Sequence, residues 1–247
     1  MNMTETVKQL LIINVLFFIG SYFVPQANEL LALHYFESDG FKFWQPISYM
    51  FMHGSLMHIF FNMFALISFG SALEHFWGAK KFLFFYLSCG LGAALLHTGV
   101  NYYFFENGLN TLISNGFTKA DILQVLNEGK INTRWQELLT VTEFNEFVGA
   151  YFGTVVGASG AIYGLLVAFA FMFPNAELAL MFIPIPIKAK YFVPGLLLID
   201  LYSGVTGGSI FGGSSGIAHF AHLGGALLGF LMMWYWKKNQ FNNNRWN

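Results

Sequence analysis

A hydroxyl, two imidazoles and a carboxamide stand out from an otherwise apolar chain: Ser159, His222, His58 and Asn62. Ser159 lies in Gly157-Ala158-Ser159-Gly160-Ala161-Ile162-Tyr163-Gly164, framed by residues with little side chain at the head of an apolar run. Such a hydroxyl is either a nucleophile that backbone can approach or a small residue that lets two helices touch. A serine within reach of a neutral histidine is the minimum for nucleophilic acyl transfer. The imidazole takes the hydroxyl proton and later returns it to the leaving amine. The reaction also needs donors aimed at the developing oxyanion, which His58, Asn62 and the Ser159 backbone N–H could supply.

The elements that must position these groups are membrane helices. Of 247 residues, 55% are hydrophobic, 19% aromatic and only 10% charged, too apolar for a soluble domain of this size. Apolar runs occur at 9–24, 56–73, 82–105, 155–173, 191–205 and 217–236. They lack the strict alternation of a barrel, so they predict six transmembrane helices in a single domain over 1–247. Charge sets the orientation. Eight basic residues, Lys8, Lys80, Lys81, Lys188, Lys190, Lys237, Lys238 and Arg245, fall on the side that holds both termini, against four on the other. The positive-inside rule then puts both termini in the cytoplasm. The first run lacks a convincing cleavage site and is read as a span, not a signal peptide. Cys89 is the single cysteine, which excludes an internal disulfide or a cysteine-based metal cluster and suggests packing.

Between the spans, the aromatic-rich segment 25–51 is expected half-embedded at the outer lipid boundary. An acidic outer insertion over 106–147 reads as helical hairpin material, with a capping box at Thr118 to Asp121 and a second helix carrying Trp135, Leu138 and Leu139. Its amphipathic faces are expected to rest on the outer leaflet or on a partner. The stretch 203–216 holds six glycines and could be a lid or a plain connector. Asp200, alone among the aspartates in lying within a predicted span, could suggest a triad but is read as structural or gating.

His222, Gly225 and Gly229 recur at three and four, so one face of the last span presents a histidine followed by two residues without side chains. Ser159, Gly160 and Gly164 form the matching small surface on the fourth. Packing these faces would bring Ser159 and His222 together. His58 and Asn62, four apart, share a face of the second span.

With these motifs in order on three helices, the chain resembles the rhomboid family of intramembrane serine proteases. The resemblance rests on His53-Gly54-Ser55-Leu56-Met57-His58 followed by Asn62, on Gly157-Ala158-Ser159-Gly160, and on Ala221-His222 followed by Gly225 and Gly229. It implies a six-helix rhomboid-like bundle with Ser159 as nucleophile, His222 as general base and acid, and an oxyanion hole of His58, Asn62 and the Ser159 backbone. It further implies Tyr163 stacked on the catalytic imidazole, with His53 and His219 as supporting residues. One departure is Trp44-Gln45, where members often have Trp-Arg. Expected substrates are single-pass transmembrane proteins, in a bed of membrane lipids, with no nucleic acid, no cofactor and no metal; a bacterial inner membrane is the expected location. No His-Glu-x-x-His motif or second intramembrane aspartate supports another protease class. The alternatives are a catalytically silent binder of membrane proteins and, with less support, a transporter, for which no internal repeat exists.

Overall fold

The computed structural model describes residues 2–180, 183–207 and 216–240. In chain order its helices are α1 (Glu5–Phe23), α2 (Ala27–Leu31), α3 (Gln45–Ser48), α4 (Leu56–Ala65), α5 (Ser71–Trp77) and α6 (Ala79–Ser114). They continue as α7 (Lys119–Asn127), α8 (Trp135–Leu138), α9 (Val141–Phe152), α10 (Ser159–Met172), α11 (Ala189–Thr206) and α12 (Gly216–Gln240). A π-helical turn, Leu66–Gly70, joins α4 to α5, so Leu56–Trp77 runs as one rod. Each of the six apolar runs falls on a helix. Among the described residues, Glu5–Phe23, Leu56–Trp77 and Ala79–Ser114 are long and apolar enough to cross a membrane. Large apolar side chains such as Leu16, Phe84, Leu95 and Leu198 are exposed, as a lipid-facing surface requires. The molecule is a helical integral membrane protein.

Three elements differ from expectation in ways that shape the site. The helix expected from Val155 begins at Ser159. The residues before it are held out of the helix by distant backbone: Leu33 and Val155 exchange both backbone hydrogen bonds, and the Gly157 N–H donates to the Tyr49 carbonyl at 2.9 Å. Gly157 then has φ +125, a conformation that a helix cannot use and that side chains other than glycine rarely adopt. Second, His53, expected within the second span along with His58 and Asn62, precedes α4, whose N-cap is Ser55; the Ser55 hydroxyl accepts from the His58 N–H at 3.1 Å. Third, α6 continues past Phe105 to Ser114. Its 36 residues rise about 54 Å, well beyond the ~30 Å hydrocarbon core, so one end projects.

That projecting end organises the insertion. Ile122, Leu126, Trp135, Leu139 and Phe147 are buried with Phe105, Leu109 and Leu112 of α6 and with Tyr35, in a core separate from that of the main bundle. The apolar faces expected to meet a leaflet or a partner are therefore largely spent within the molecule. The Thr118 hydroxyl accepts from the Asp121 N–H, but the complete reciprocal capping box is at Thr140 and Glu143, which starts the unanticipated α9. Lys119 donates to Glu37 at 3.0 Å, a hydrogen bond that raises the lysine pKa and ties the insertion to the segment after α1. At the opposite loop, β1 (Glu177–Leu180) and β2 (Ile183–Lys188) pair antiparallel.

The segment after α1 is held by Gln45, which is fully buried. Its amide donates to the carbonyls of Gly40 at 2.9 Å and Glu29 at 3.2 Å and accepts from the His34 N–H at 3.3 Å. An uncharged residue thus crosslinks this loop where members of the resembled family often have arginine. Trp44 adds a bond from its indole to the Leu30 carbonyl at 2.7 Å.

Glu74, also buried, caps a helix to which it does not belong. Its carboxylate accepts from the Thr6 and Val7 N–H groups at 3.0 Å and from the Thr4 hydroxyl, filling the free amides at the start of α1. Glu74→Ala removes these bonds and leaves buried donors unpaired, a cost of about 1–3 kcal/mol. The expected result is a lower apparent Tm in detergent. An unchanged Tm would show that α1 is held by packing alone.

Candidate active site

The architecture places the Ser159 hydroxyl at a helix start. Ser159 is the first residue of α10, so its N–H and the next two lack partners within the helix and form a ready electropositive patch. The helix has 14 residues and rises only about 21 Å, less than the hydrocarbon core. A helix of this length with its far end at one membrane surface would leave Ser159 inside the layer and short of the other surface.

Glycines bring α12 against α10. A Cβ on Gly225 would overlap the Gly160 carbonyl, and one on Gly229 would meet the Gly164 backbone. On the other side of α10, Gly160 faces Ala93 and Gly164 faces Cys89, so α6 closes the same cluster and Cys89 is a packing residue there. Gly92 and Gly224 form a further close approach between α6 and α12 that the sequence reading missed. With the axes this near, the Ser159 Oγ lies 2.9 Å from His222 Nε2. The Tyr163 ring, one turn along α10, stacks on the His222 ring with centroids 4.3 Å apart and planes 10° apart.

The second helix presents its imidazole from across Gly157. A Cβ at Gly157 would sit 2.7 Å from His58 Nε2 and 3.7 Å from Ser159 Oγ, so only a missing side chain leaves room between them. The Gly54 N–H lies 3.4 Å from His58 Nδ1 and can only donate. A neutral ring accepting there carries its proton on Nε2, the atom turned toward Gly157. Buried His53 packs edge-on against the His58 ring, 5.0 Å away. Asn62 is buried one turn below, but its amide donates to the His58 carbonyl at 2.8 Å and is not aimed at Ser159.

A Rhomboid domain family model matches residues 40–239. The chain belongs to the rhomboid family. The rhomboid is 27% identical over 188 residues to Rhomboid protein 1, mitochondrial, of Saccharomyces cerevisiae, covering 76% of this chain and 40% of that protein. It is 31% identical over 185 residues to human Presenilin-associated rhomboid-like protein, mitochondrial, covering 75% of this chain and 35% of that one. It thus spans well under half the length of these relatives. Rhomboids are in general serine intramembrane proteases. The rhomboid is an integral membrane protein, and its mitochondrial relatives do not fit the expected bacterial inner membrane.

Two further groups complete the polar cluster of this rhomboid. Asp200, on α11, has Oδ1 2.5 Å from His219 Nδ1 and 3.2 Å from His222 Nδ1. Sequence reasoning set aside a triad through Asp200, because the resembled family works as a dyad, and assigned the residue to structure or gating; the structure puts it beside His222. The available signal was the i, i+3 spacing of the two histidines, which puts both rings where one carboxylate can reach them. Their ligand atoms lie within 4.8 Å of one another, close enough to share a metal ion as well as protons. Most of the glycine-rich stretch read as a lid or connector, 208–215, lies outside the described residues.

Proposed function

We propose that this rhomboid is a serine-type intramembrane endopeptidase acting through Ser159 and His222. The observation that carries the reading is the 2.9 Å approach of His222 Nε2 to a serine hydroxyl at the start of a helix too short to cross the membrane. Ser159 Oγ attacks the peptide carbonyl while His222 Nε2 takes its proton. The collapse of the tetrahedral intermediate passes that proton to the leaving amine, and water then releases the acyl group by the same route. The oxyanion is held by the Ser159 N–H and by His58, whose Nε2 faces the gap over Gly157; Asn62 joins once its amide turns from the His58 carbonyl. His53 backs His58, and Tyr163 fixes the plane of the His222 ring.

The substrates proposed are single-pass transmembrane proteins. A helix in lipid hides its amides in its own hydrogen bonds, so cleavage requires local unwinding where small residues weaken it. The charge pattern supports both termini on one, more basic side of the membrane, with 106–147 as an insertion on the opposite side of a single bundle.

The test is labelling of purified protein in detergent with a fluorophosphonate probe, comparing wild type, Ser159→Ala and His222→Ala. Labelling of wild type alone is expected. Folded wild type that neither labels nor cuts a transmembrane substrate would replace this reading with a silent membrane-protein binder.

Gly157→Ala tests the oxyanion gap separately. The methyl group forces φ out of a region costing about 1–3 kcal/mol for alanine and pushes on His58. Cleavage is expected to fall by about 10²- to 10³-fold, the usual effect of losing one oxyanion donor, while the protein remains folded. A wild-type turnover would remove His58 from the oxyanion hole.

A further inference from the structure

The geometry points to Asp200 as a positioning residue for His222, which adds an orienting carboxylate to the serine and histidine pair; this rests on the endopeptidase reading above. The carboxylate is 5% exposed and sits on α11, while both its imidazole contacts come from α12. Tyr163, on α10, stacks on the His222 ring that meets this carboxylate, so residues of two other helices gather at Asp200. Ser203 is buried one turn further along α11.

The physical argument concerns which nitrogen of His222 carries the proton. An ionised carboxylate only accepts, so the 3.2 Å contact requires Nδ1–H on His222. A neutral ring protonated at Nδ1 has its lone pair on Nε2, 2.9 Å from the Ser159 hydroxyl and in the form a general base needs. With the opposite tautomer Nε2–H would donate to Ser159, and no base would face the nucleophile. During attack the serine proton moves to Nε2 as the Oγ–carbon bond forms, the ring becomes an imidazolium, and Asp200 stays ionised beside it. When the peptide C–N bond breaks, the proton leaves Nε2 for the amine. Asp200 exchanges no proton in either step.

His219 binds the same oxygen more closely, at 2.5 Å. Its Nδ1–H holds the carboxylate between α11 and α12, so the anion cannot turn away from His222. A membrane interior raises the worth of this arrangement, because an isolated carboxylate is costly there and two donors offset that cost.

The test compares wild type with Asp200→Asn and Asp200→Glu, measuring cleavage of a transmembrane substrate per folded molecule. Asn preserves size and hydrogen bonding, so a merely structural role would survive it. Positioning predicts that kcat for Asp200→Asn falls by about 10²- to 10⁴-fold with KM within twofold, and that Asp200→Glu recovers part of the loss. The second measurement uses the wild type alone, with ¹⁵N-labelled histidine read by magnetic resonance at neutral pH. His222 should carry its proton on Nδ1, and an Nε2-protonated ring would overturn the proposal even if the variants fail to fold. A wild-type kcat in Asp200→Asn would also overturn it. So would loss of wild-type labelling on adding EDTA, because the cluster would then hold a metal. If wild type itself neither labels nor cleaves, the endopeptidase reading fails and takes this one with it; an active wild type with an equally active Asp200→Asn sinks only the role of Asp200.

Discussion

Ser159→Ala, His222→Ala and the double variant are each expected to lower the cleavage rate by about 10⁴- to 10⁶-fold, and the double variant to lose no more than the worse single one. In the proposed mechanism the two residues act as one unit. Without the hydroxyl there is nothing for His222 to deprotonate, and without the imidazole a serine hydroxyl at neutral pH is a poor nucleophile. What survives either change is binding plus the oxyanion donors, which by themselves give some acceleration over water. Initial rates on a transmembrane substrate in detergent decide the matter. Losses that multiply in the double variant would mean that the two side chains contribute independently, and the hydrogen bond between them would not be the chemical unit.

The second large effect is expected at Gly225, far from any reacting atom. Its added methyl would overlap the Gly160 carbonyl, and backbone cannot swing aside as a flexible side chain can. α10 and α12 must separate, so Gly225→Ala is expected to cost about 1–3 kcal/mol of stability through overpacking. The consequence for catalysis is larger, because the two helices carry Ser159 and His222. A displacement of about 1 Å at such a contact is enough for a loss of around 10²-fold. Gly99→Ala is the control: nothing lies within 4 Å of that position, and both stability and cleavage should be unchanged. Cleavage by Gly225→Ala at the wild-type rate would show that the dyad does not depend on this contact.

The comparison of Gly225 with Gly99 also shows how much of the site could be read in advance. Both are glycines in apolar helices, but only Gly225 recurs with His222 and Gly229 on one face, so periodicity was enough to single it out. The same rule paired His58 with Asn62 and matched Ser159, Gly160 and Gly164 to the last helix. It failed where helix ends are set by long-range contacts. Residues 155–158 are as apolar as the helix that follows, and nothing local reveals that Leu33 and Tyr49 bind Val155 and Gly157 outside it. The end of α6 was misjudged for a related reason. Glu106 and Asn107 look like the edge of a span, whereas Leu109 and Leu112 continue the helix because the insertion buries them.

From the order of residues alone came the membrane-helical class, the three motifs with their helices, and the small faces that let two of those helices meet. These follow from composition and from the 3.6-residue period, which act within one element. The tertiary structure alone decided that Ser159 starts its helix, that Gly157 keeps a gap open before His58, and that Asp200 lies beside His222. Each depends on a contact between separate elements. The last joins residues 22 apart on α11 and α12. Periodicity tells which face a side chain occupies, but the partner across that face is chosen by how the helices pack.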